Sequence, residues 1–509
     1  MCIRDSLYPV LVDTLLPNDT ISLGHLSQLQ LPPMATDFYG RVMAKFEAFF
    51  VPFRILYGGW QDLITHPVNG DNWPTGTNNG QKAKYLPTLS FGTNAIPVEN
   101  LRPGTLADFL GVKFSSSTQM NAFLVKNPLP FFAYHKIYDA WYRDSRIQRE
   151  VFQRPNPSVT NATPASTFPY STYYGSAPEN WKSFVNLILA DGVNLLALRQ
   201  RNWEKDYFTN ATPKPQAGDP AQLAFSVTDD QGSFTIASLR AANALQQWLE
   251  RNNIAGYRYG DQIKAQFGIY PSDAVTDRPI YLGSHTVDVY NRSVYQQNAL
   301  ESGVATGQNN PFTSVGSKYG SPNALGDGSL VGKFTASEHG FIMVMFSLVP
   351  RAYYGSGSRR YLQYSSQADF PFPLLAGVGD QSILKQELLD GANTTSLDVF
   401  GYTQRYSECK YMDDEVHGLL RDGESLQAFA LQRTFSDNVE LGSDFLQIPQ
   451  DFLDQVSASE NSLPSAFGAW CDSYFSYKKV STLPAYSIPT LGDPKDTHTE
   501  VVDNGGKRL

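Results

Sequence analysis

Apolar and polar positions alternate most cleanly in RVMAKFEAFFVP, where Val42, Ala44, Phe46, Ala48 and Phe50 share one side of an extended chain and Met43, Lys45, Glu47 and Phe49 share the other. The pattern predicts a strand with one committed core face. In FIMVMFSLV both alternating sets are apolar, Phe341, Met343 and Met345 against Ile342, Val344 and Phe346. A strand covered on both sides reads this way. LYPVLVDTLL, PIYLGSHTVDVY, YTQRYSECKYM, SLQAFALQRTF and AWCDSYFSYKKV supply further strand candidates. The period changes in FRILYGGWQDLI, which suggests a short helix broken near Gly58-Gly59. Tyr134, Ile137, Tyr138 and Trp141 recur at helical spacing, with Arg143, Arg146 and Arg149 on a polar flank expected to be solvated and balanced by Asp144 and Glu150. FTIASLRAANALQQWLERNN is the clearest helix, its apolar stripe made by Ile236, Leu239, Ala242, Leu245, Trp248 and Leu249, and RYGDQIKAQFGI predicts a second.

Between these elements lie long excursions. Residues 67 to 103 are rich in Asn, Gly and Pro and read as an ordered surface detour. Asn291 to Gly332 is the most turn-rich stretch and has little from which to build its own core. Residues 481–509 read as an extended carboxy-terminal arm and frayed tail. Residues 1–6, MCIRDS, run poorly into the strand that follows and are set aside as a non-native start. Strands spread from about 40 to 480 without a βαβ rhythm favour an antiparallel sandwich, and a jelly roll tolerates long loops without disturbing its two sheets.

Composition narrows the picture. Of 509 residues only 17% are charged, against roughly 25% in an average soluble protein. So neutral a surface suits a chain whose outside is occupied by other chains. A net charge of −9 argues against coating nucleic acid by bulk electrostatics, so any DNA contact should be local or shared with a basic partner. Cys2, Cys409 and Cys471 are too few and too scattered for a disulfide framework or a zinc site and fit a reducing cytosol. No run reaches the ~18 apolar residues of a membrane span.

Catalytic motifs do not emerge. GDGSLVGKF misplaces the glycines of a phosphate loop and has Phe334 where a hydroxyl is needed, so it reads as a loop; neither HExxH nor GxSxG occurs. Asp413, Asp414, Glu415 and His417 in YMDDEVHG could hold a cation as hard oxygen ligands, but the EF-hand pattern is absent and no metal or cofactor is expected. Glu338 and His339 stand side by side before the apolar run, yet neighbours on an extended chain point to opposite faces, so a structural role is expected. A β-sandwich carbohydrate-active enzyme or lectin is the rival reading, motivated by abundant Tyr, Trp, Asp and Asn; no carboxylate pair is nominated for it. A tail or receptor-binding fibre is a third, against which the lack of repeats weighs.

FEAFFVPFRILYGGWQDLIT, the helical block running to RPIYLG, SEHGFIMVMFSLVP and VFGYTQRYSECKYMDDEVHGLLR together resemble, in this order, blocks of the major capsid protein of microviruses, the small single-stranded-DNA bacteriophages. The resemblance runs from about Leu7 to Pro494 and is closest to the gokushovirus-like type. It implies one eight-stranded antiparallel jelly-roll domain over 1–509 with large helical and irregular insertions, assembled with identical subunits into an icosahedral virion capsid. It also implies that residues 284–332 form a surface protrusion, and that assembly takes place in the host bacterial cytoplasm. The implied partners are an internal scaffolding protein, a pilot protein, a small basic DNA-binding protein, the single-stranded DNA genome and a bacterial surface receptor, with no membrane insertion. Lys478, Lys479, Lys507 and Arg508 are the candidate DNA-facing groups; ordinary solvated lysines and a frayed end are the plainer reading.

Overall fold

The computed structural model describes residues 2–3, 6–30, 39–58, 60–65, 89–91, 104–112, 123–125, 127–152, 197–215, 236–289, 293–295, 318–320, 323–389, 398–435, 439–449, 452, 469–483, 500–503 and 507–508. Its main strands are β1 (Cys2–Ile3), β2 (Tyr8–Leu15), β3 (Thr20–Gln30), β4 (Val42–Pro52), β5 (Ile280–Val289), β6 (Asn323–Thr335), β7 (Gly340–Pro350), β8 (Gln381–Leu384), β9 (Val399–Thr403), β10 (Ala469–Ser481), β11 (Glu500–Asp503) and β12 (Lys507–Arg508). One sheet runs β1-β10-β3-β6, with β11 and β12 also on β10; the second runs β2-β7-β4-β5. All their pairings are antiparallel.

The alternation in β4 decides what packs where. Val42, Ala44, Phe46, Ala48 and Phe50 join Ile342, Val344 and Phe346 of β7 and meet Ile21, Leu23, Leu29, Leu330 and Phe475 of the first sheet in one buried cluster. The opposite face of the second sheet, with Phe49, Val51, Phe341, Met343 and Met345, is covered by α1 (Phe53–Leu56) and by a later helix, Leu129–Ile137, which continues as a π turn over Tyr138–Tyr142. Both faces of β7 are therefore dry, and all of its residues are buried, as its doubly apolar sequence requires. The break near Gly58-Gly59 is present, with α2 (Trp60–Thr65) following α1. In chain order Leu129–Ile137 is α3, and α4 (Ile236–Ala255) and α5 (Tyr259–Phe267) follow it.

The helical layer is tied to the sandwich by buried polar contacts. The Tyr134 hydroxyl donates to the Leu7 carbonyl at 2.8 Å and accepts the Arg199 backbone N–H at 2.8 Å. Tyr134→Phe leaves both partners short of a hydrogen bond in a dry site and is expected to destabilise the protein by roughly 1–3 kcal/mol, read from the denaturant midpoint. Glu47, on the outer face of β4, accepts from the Tyr142 hydroxyl at 2.8 Å and from Arg201 at 2.7 Å. The flank expected to be solvated is so only at Arg149 and Glu150, which are exposed; the rest is charge-balanced and largely covered. Arg146 is buried against Asp144 at 3.0 Å, and Arg143 pairs with Asp139 at 3.2 Å. Burial works against the Asp144 charge, yet hydrogen bonds from Arg146 and Lys205 hold its carboxyl below the usual range.

Several segments differ from the sequence expectation. GDGSLVGKF is part of β6 and not a loop. Gly328 is required by contact: it lies opposite His25 in the ladder, and a Cβ there would come within 2.8 Å of the His285 ring. SLQAFALQRTF forms no strand; it holds a 3-10 turn over Gln427–Phe429 and single bridges at Ala430 and Arg433. Side chains hold it instead, because the buried Arg433 guanidinium lies 4.2 Å from the Phe445 ring centroid and 4.9 Å from that of Trp203. YTQRYSECKYM is a strand only through Thr403, after which Tyr406 turns with a φ of 60°.

The surface detour read over residues 67 to 103 lies outside the described residues apart from Leu89–Phe91, which pairs with Phe123–Val125. Of the stretch 284–332, Ser284–Val289 belongs to β5 and the part from Asn323 onward to β6, while Ser293–Tyr295 pairs with Lys318–Gly320 between them. Cys2–Ile3 pairs with Trp470 and Ala469, and Glu500–Asp503 and Lys507–Arg508 pair further along the same strand.

Candidate functional site

Three of the sequence blocks that carry the resemblance meet at one arginine. Arg54, from FRIL, donates to Glu338 of SEHG at 3.2 Å and to Asp277, just before RPIYLG, at 2.5 Å. The Glu338 hydrogen bond is the largest influence raising the Arg54 pKa. His339 turns the other way: its carbonyl accepts the Phe53 N–H at 2.9 Å, and its ring lies 5.7 Å from Trp60. Gly340 is needed at this corner because a Cβ would meet the Val51 carbonyl at 2.6 Å and the Phe50 ring at 2.7 Å. The Arg278 guanidinium stacks 3.7 Å from the Trp141 ring centroid, while the indole N–H donates to the Pro279 carbonyl at 3.0 Å. These groups fasten strands to helices. Glu338→Gln is accordingly expected to lower stability by no more than about 1 kcal/mol, since the pair is partly exposed, and to leave particle assembly unchanged in sedimentation.

The acidic run at 413–415 is dispersed by its neighbours. Asp414 pairs with Arg351 and Glu415 with Arg359, while Asp413 turns toward the Tyr207 N–H at 3.4 Å. Burial and the nearby Asp206 carboxylate push Asp413 up to about 7. Among the described residues, no group of three or more His, Cys, Asp or Glu is placed to hold a metal ion. Asp413 borders a cavity of about 350 Å³ lined in part by Phe208, Tyr361, Tyr364, Met412 and Arg421. Its charges are largely paired, Arg360 with Glu387 at 2.9 Å and Tyr364 with Glu408 at 2.9 Å, which leaves an aromatic hollow with a balanced rim.

The four basic candidates lie along one strand and its edge. Lys478 is exposed on the outer face of β10. Lys479 points the other way, 3.3 Å from Asp13 and 3.4 Å from Asp19, and donates to the Thr14 carbonyl at 2.6 Å. The backbones of Lys507 and Arg508 pair with Phe475 and Tyr474. The two carboxylates that tie down Lys479 lie more than 450 residues upstream, beyond the reach of any local pattern.

Apolar surface is also left outside. Leu239, Leu245 and Trp248 of α4, which read as a core-facing stripe by period, are exposed, as are Phe267, Ile269 and Tyr270 at the end of α5. A two-sheet β core sealed by a helical layer, with its polar clusters closed in structural ion pairs and its broad apolar faces turned outward, defines a protein that works by packing against other molecules.

The comparisons place it among shell proteins. The family described as Capsid protein (F protein) matches residues 3–230 and 225–491, and the chain belongs to that family. It is 25% identical to the capsid protein VP1 of Bdellovibrio phage phiMH2K over 95% of this chain and 92% of that one. It is 24% identical to VP1 of Chlamydia phage 1 over 96% and 93%, and 23% identical to VP1 of Spiroplasma virus 4 over 93% and 89%. The protein is thus a structural subunit of a phage virion capsid and not an enzyme; membership overturns the rival reading of a carbohydrate-active enzyme or lectin. Among the described residues, no helix is long and apolar enough to cross a membrane.

Proposed function

We propose that this chain is an eight-stranded jelly-roll tile of a small icosahedral shell that encloses single-stranded DNA. One observation carries the jelly roll. Among β2 to β7 the nesting is complete, β2 with β7, β3 with β6 and β4 with β5, all antiparallel, and the two residues Cys2–Ile3 of the start set aside above add the outermost pair with β10. That nesting is a long hairpin rolled into two sheets, and it lets loops at either end grow without disturbing the core. In this reading the whole chain is one domain, residues 284–332 carry a surface protrusion, and the carboxy-terminal arm reaches along the edge of β10.

The DNA would be held weakly and locally. With a net charge of −9 the subunit cannot neutralise a genome, so a small basic protein shares the interior, and an internal scaffolding protein and a pilot protein assist assembly in the host bacterial cytoplasm. Lys478 is the best placed of the basic candidates, with Lys507 and Arg508 on the adjoining strand; Lys479 is held by Asp13 and Asp19. Outer loops would meet a bacterial surface receptor. The test is co-expression with the basic partner and a circular single-stranded DNA, followed by nuclease. Protected full-length DNA in particles is expected, with less protected in Lys478→Gln; empty or nuclease-sensitive particles would contradict the genome-enclosing role.

A further inference from the structure

The exposed apolar side chains of the α4–α5 hairpin and the aromatic hollow beside Cys409 are two separate surfaces of the chain. On the hairpin, Trp248 is 50% exposed, Phe267 and Tyr270 75% and Val275 78%. With Leu245, Tyr259 and Ile269 they uncover on the order of 800 Å² of apolar surface, since each aromatic residue alone buries about 150–250 Å² when covered. A lone monomer rarely shows a patch above about 600 Å², whereas a stable contact needs about 800 Å² from each partner. The hairpin is firmly rooted, so the face is held out and pre-organised. Arg258 donates to the Asp139 carbonyl at 2.8 Å, the Tyr257 N–H donates to Ser145 at 3.1 Å, and Asn252 and Asn253 are buried.

The hollow of about 350 Å³ offers the complement. Tyr361, Tyr364, Pro371 and Met412 line it, and Phe370 packs edge-on against Tyr364 with ring centroids 5.2 Å apart. Charge agrees in sign. Residues 236–276 carry four basic and three acidic side chains, net +1, whereas the hollow is lined by Arg359, Arg360 and Arg421 against Glu387, Glu408, Asp413 and Glu415, net −1. Opposite potentials steer and orient two faces of this kind.

We propose that the α4–α5 hairpin of one subunit docks head-to-tail into the aromatic hollow of a second copy, with Trp248 and the Phe267–Tyr270 segment as anchors. Two different faces meeting in this way propagate around a ring, which a closed shell requires and a face-to-face dimer does not supply. The inference rests on the capsid-subunit reading and adds the surfaces that do the joining.

Native Cys409 is exposed and lines the hollow, so it can report the contact. Ala244 is exposed one turn before Trp248 on the same helical face, so Ala244→Cys should sit near it in a neighbour. Full-length Ala244→Cys, assembled and oxidised, is expected to give a ladder of linked subunits on a non-reducing gel, and the ladder should vanish when Cys409→Ser is added. Links that survive Cys409→Ser would place the hairpin against another hairpin, Cys2 or Cys471 and overturn the proposal, as would shells without links. In parallel, Trp248→Glu with Phe267→Glu is expected to cut shell yield at least tenfold while the circular dichroism melt stays that of the folded monomer. Shells at the unmodified yield would overturn the docking but leave the capsid role standing; failure of the unmodified chain to form shells would remove the reading beneath it.

Discussion

Replacing Phe346 with alanine is expected to destabilise the subunit by about 3–5 kcal/mol, enough to remove much of the stability of a typical domain. Phe346 is fully buried, stands opposite Phe46 in the β7–β4 ladder with ring centroids 4.6 Å apart, and belongs to the cluster that joins the two sheets. Its neighbours sit in strands pinned on both sides, so the cavity left behind cannot collapse freely, and the loss exceeds the transfer energy of the ring alone. Phe346→Leu keeps most of the volume and should retain far more stability. Tyr474→Ala, on the exposed side of β10, should change stability by no more than about 0.5 kcal/mol. Urea unfolding of the three variants checks the ranking; equal midpoints for the Phe346 and Tyr474 alanine variants would show that the sandwich interior is not the core.

Acid should loosen the same interior. His25 sits between the rings of Phe46 and Phe475, at 3.9 and 4.9 Å, with its Nδ1 3.2 Å from that of His285. Burial, then the nearby His285, lowers the His25 pKa from 6.5 to about 3. Between those values the unfolded chain binds a proton that the folded one refuses. The contribution of His25 is thus fully present above pH 6.5 and is lost as pH falls toward 3, with a slope of up to about 1.4 kcal/mol per pH unit. Asp413 has the opposite sign: its pKa is raised to about 7, so its contribution is lost as pH climbs through that value. The difference between the unmodified chain and His25→Phe, measured by thermal unfolding from pH 4 to 8, isolates the histidine. The unmodified chain should lose stability more steeply below pH 6.5, and parallel profiles would contradict the buried-histidine account.

The strongest strands were legible because their residues answer to one neighbour each. β4 shows its inner face by alternation, and β7 shows two covers by having two apolar faces. β3 escaped notice because His25 and Ser27 occupy inward positions between Leu23 and Leu29, which breaks the apolar period although both are buried. β6 was hidden by a run of glycines, of which Gly328 is explained only by the distant His285 ring. Both failures come from contacts between distant segments, which local period does not carry. The helix α4 was plain, but its stripe implied a core within the chain, and Leu239, Leu245 and Trp248 of it are instead exposed. A subunit that buries such a stripe in a neighbour writes the same pattern as one that buries it in itself. The acidic run at 413–415 looked like a cation site for a similar reason: Arg351 and Arg359, which take up its charges, stand more than 50 residues upstream.

Electron microscopy of the purified full-length chain, across protein concentration and ionic strength and with its basic partner present, tests the central claim most directly. A rigid two-sheet tile whose outward apolar faces grip identical copies should give small, uniform spherical particles. A chain that stays monomeric under every condition, while folded and soluble, would contradict it.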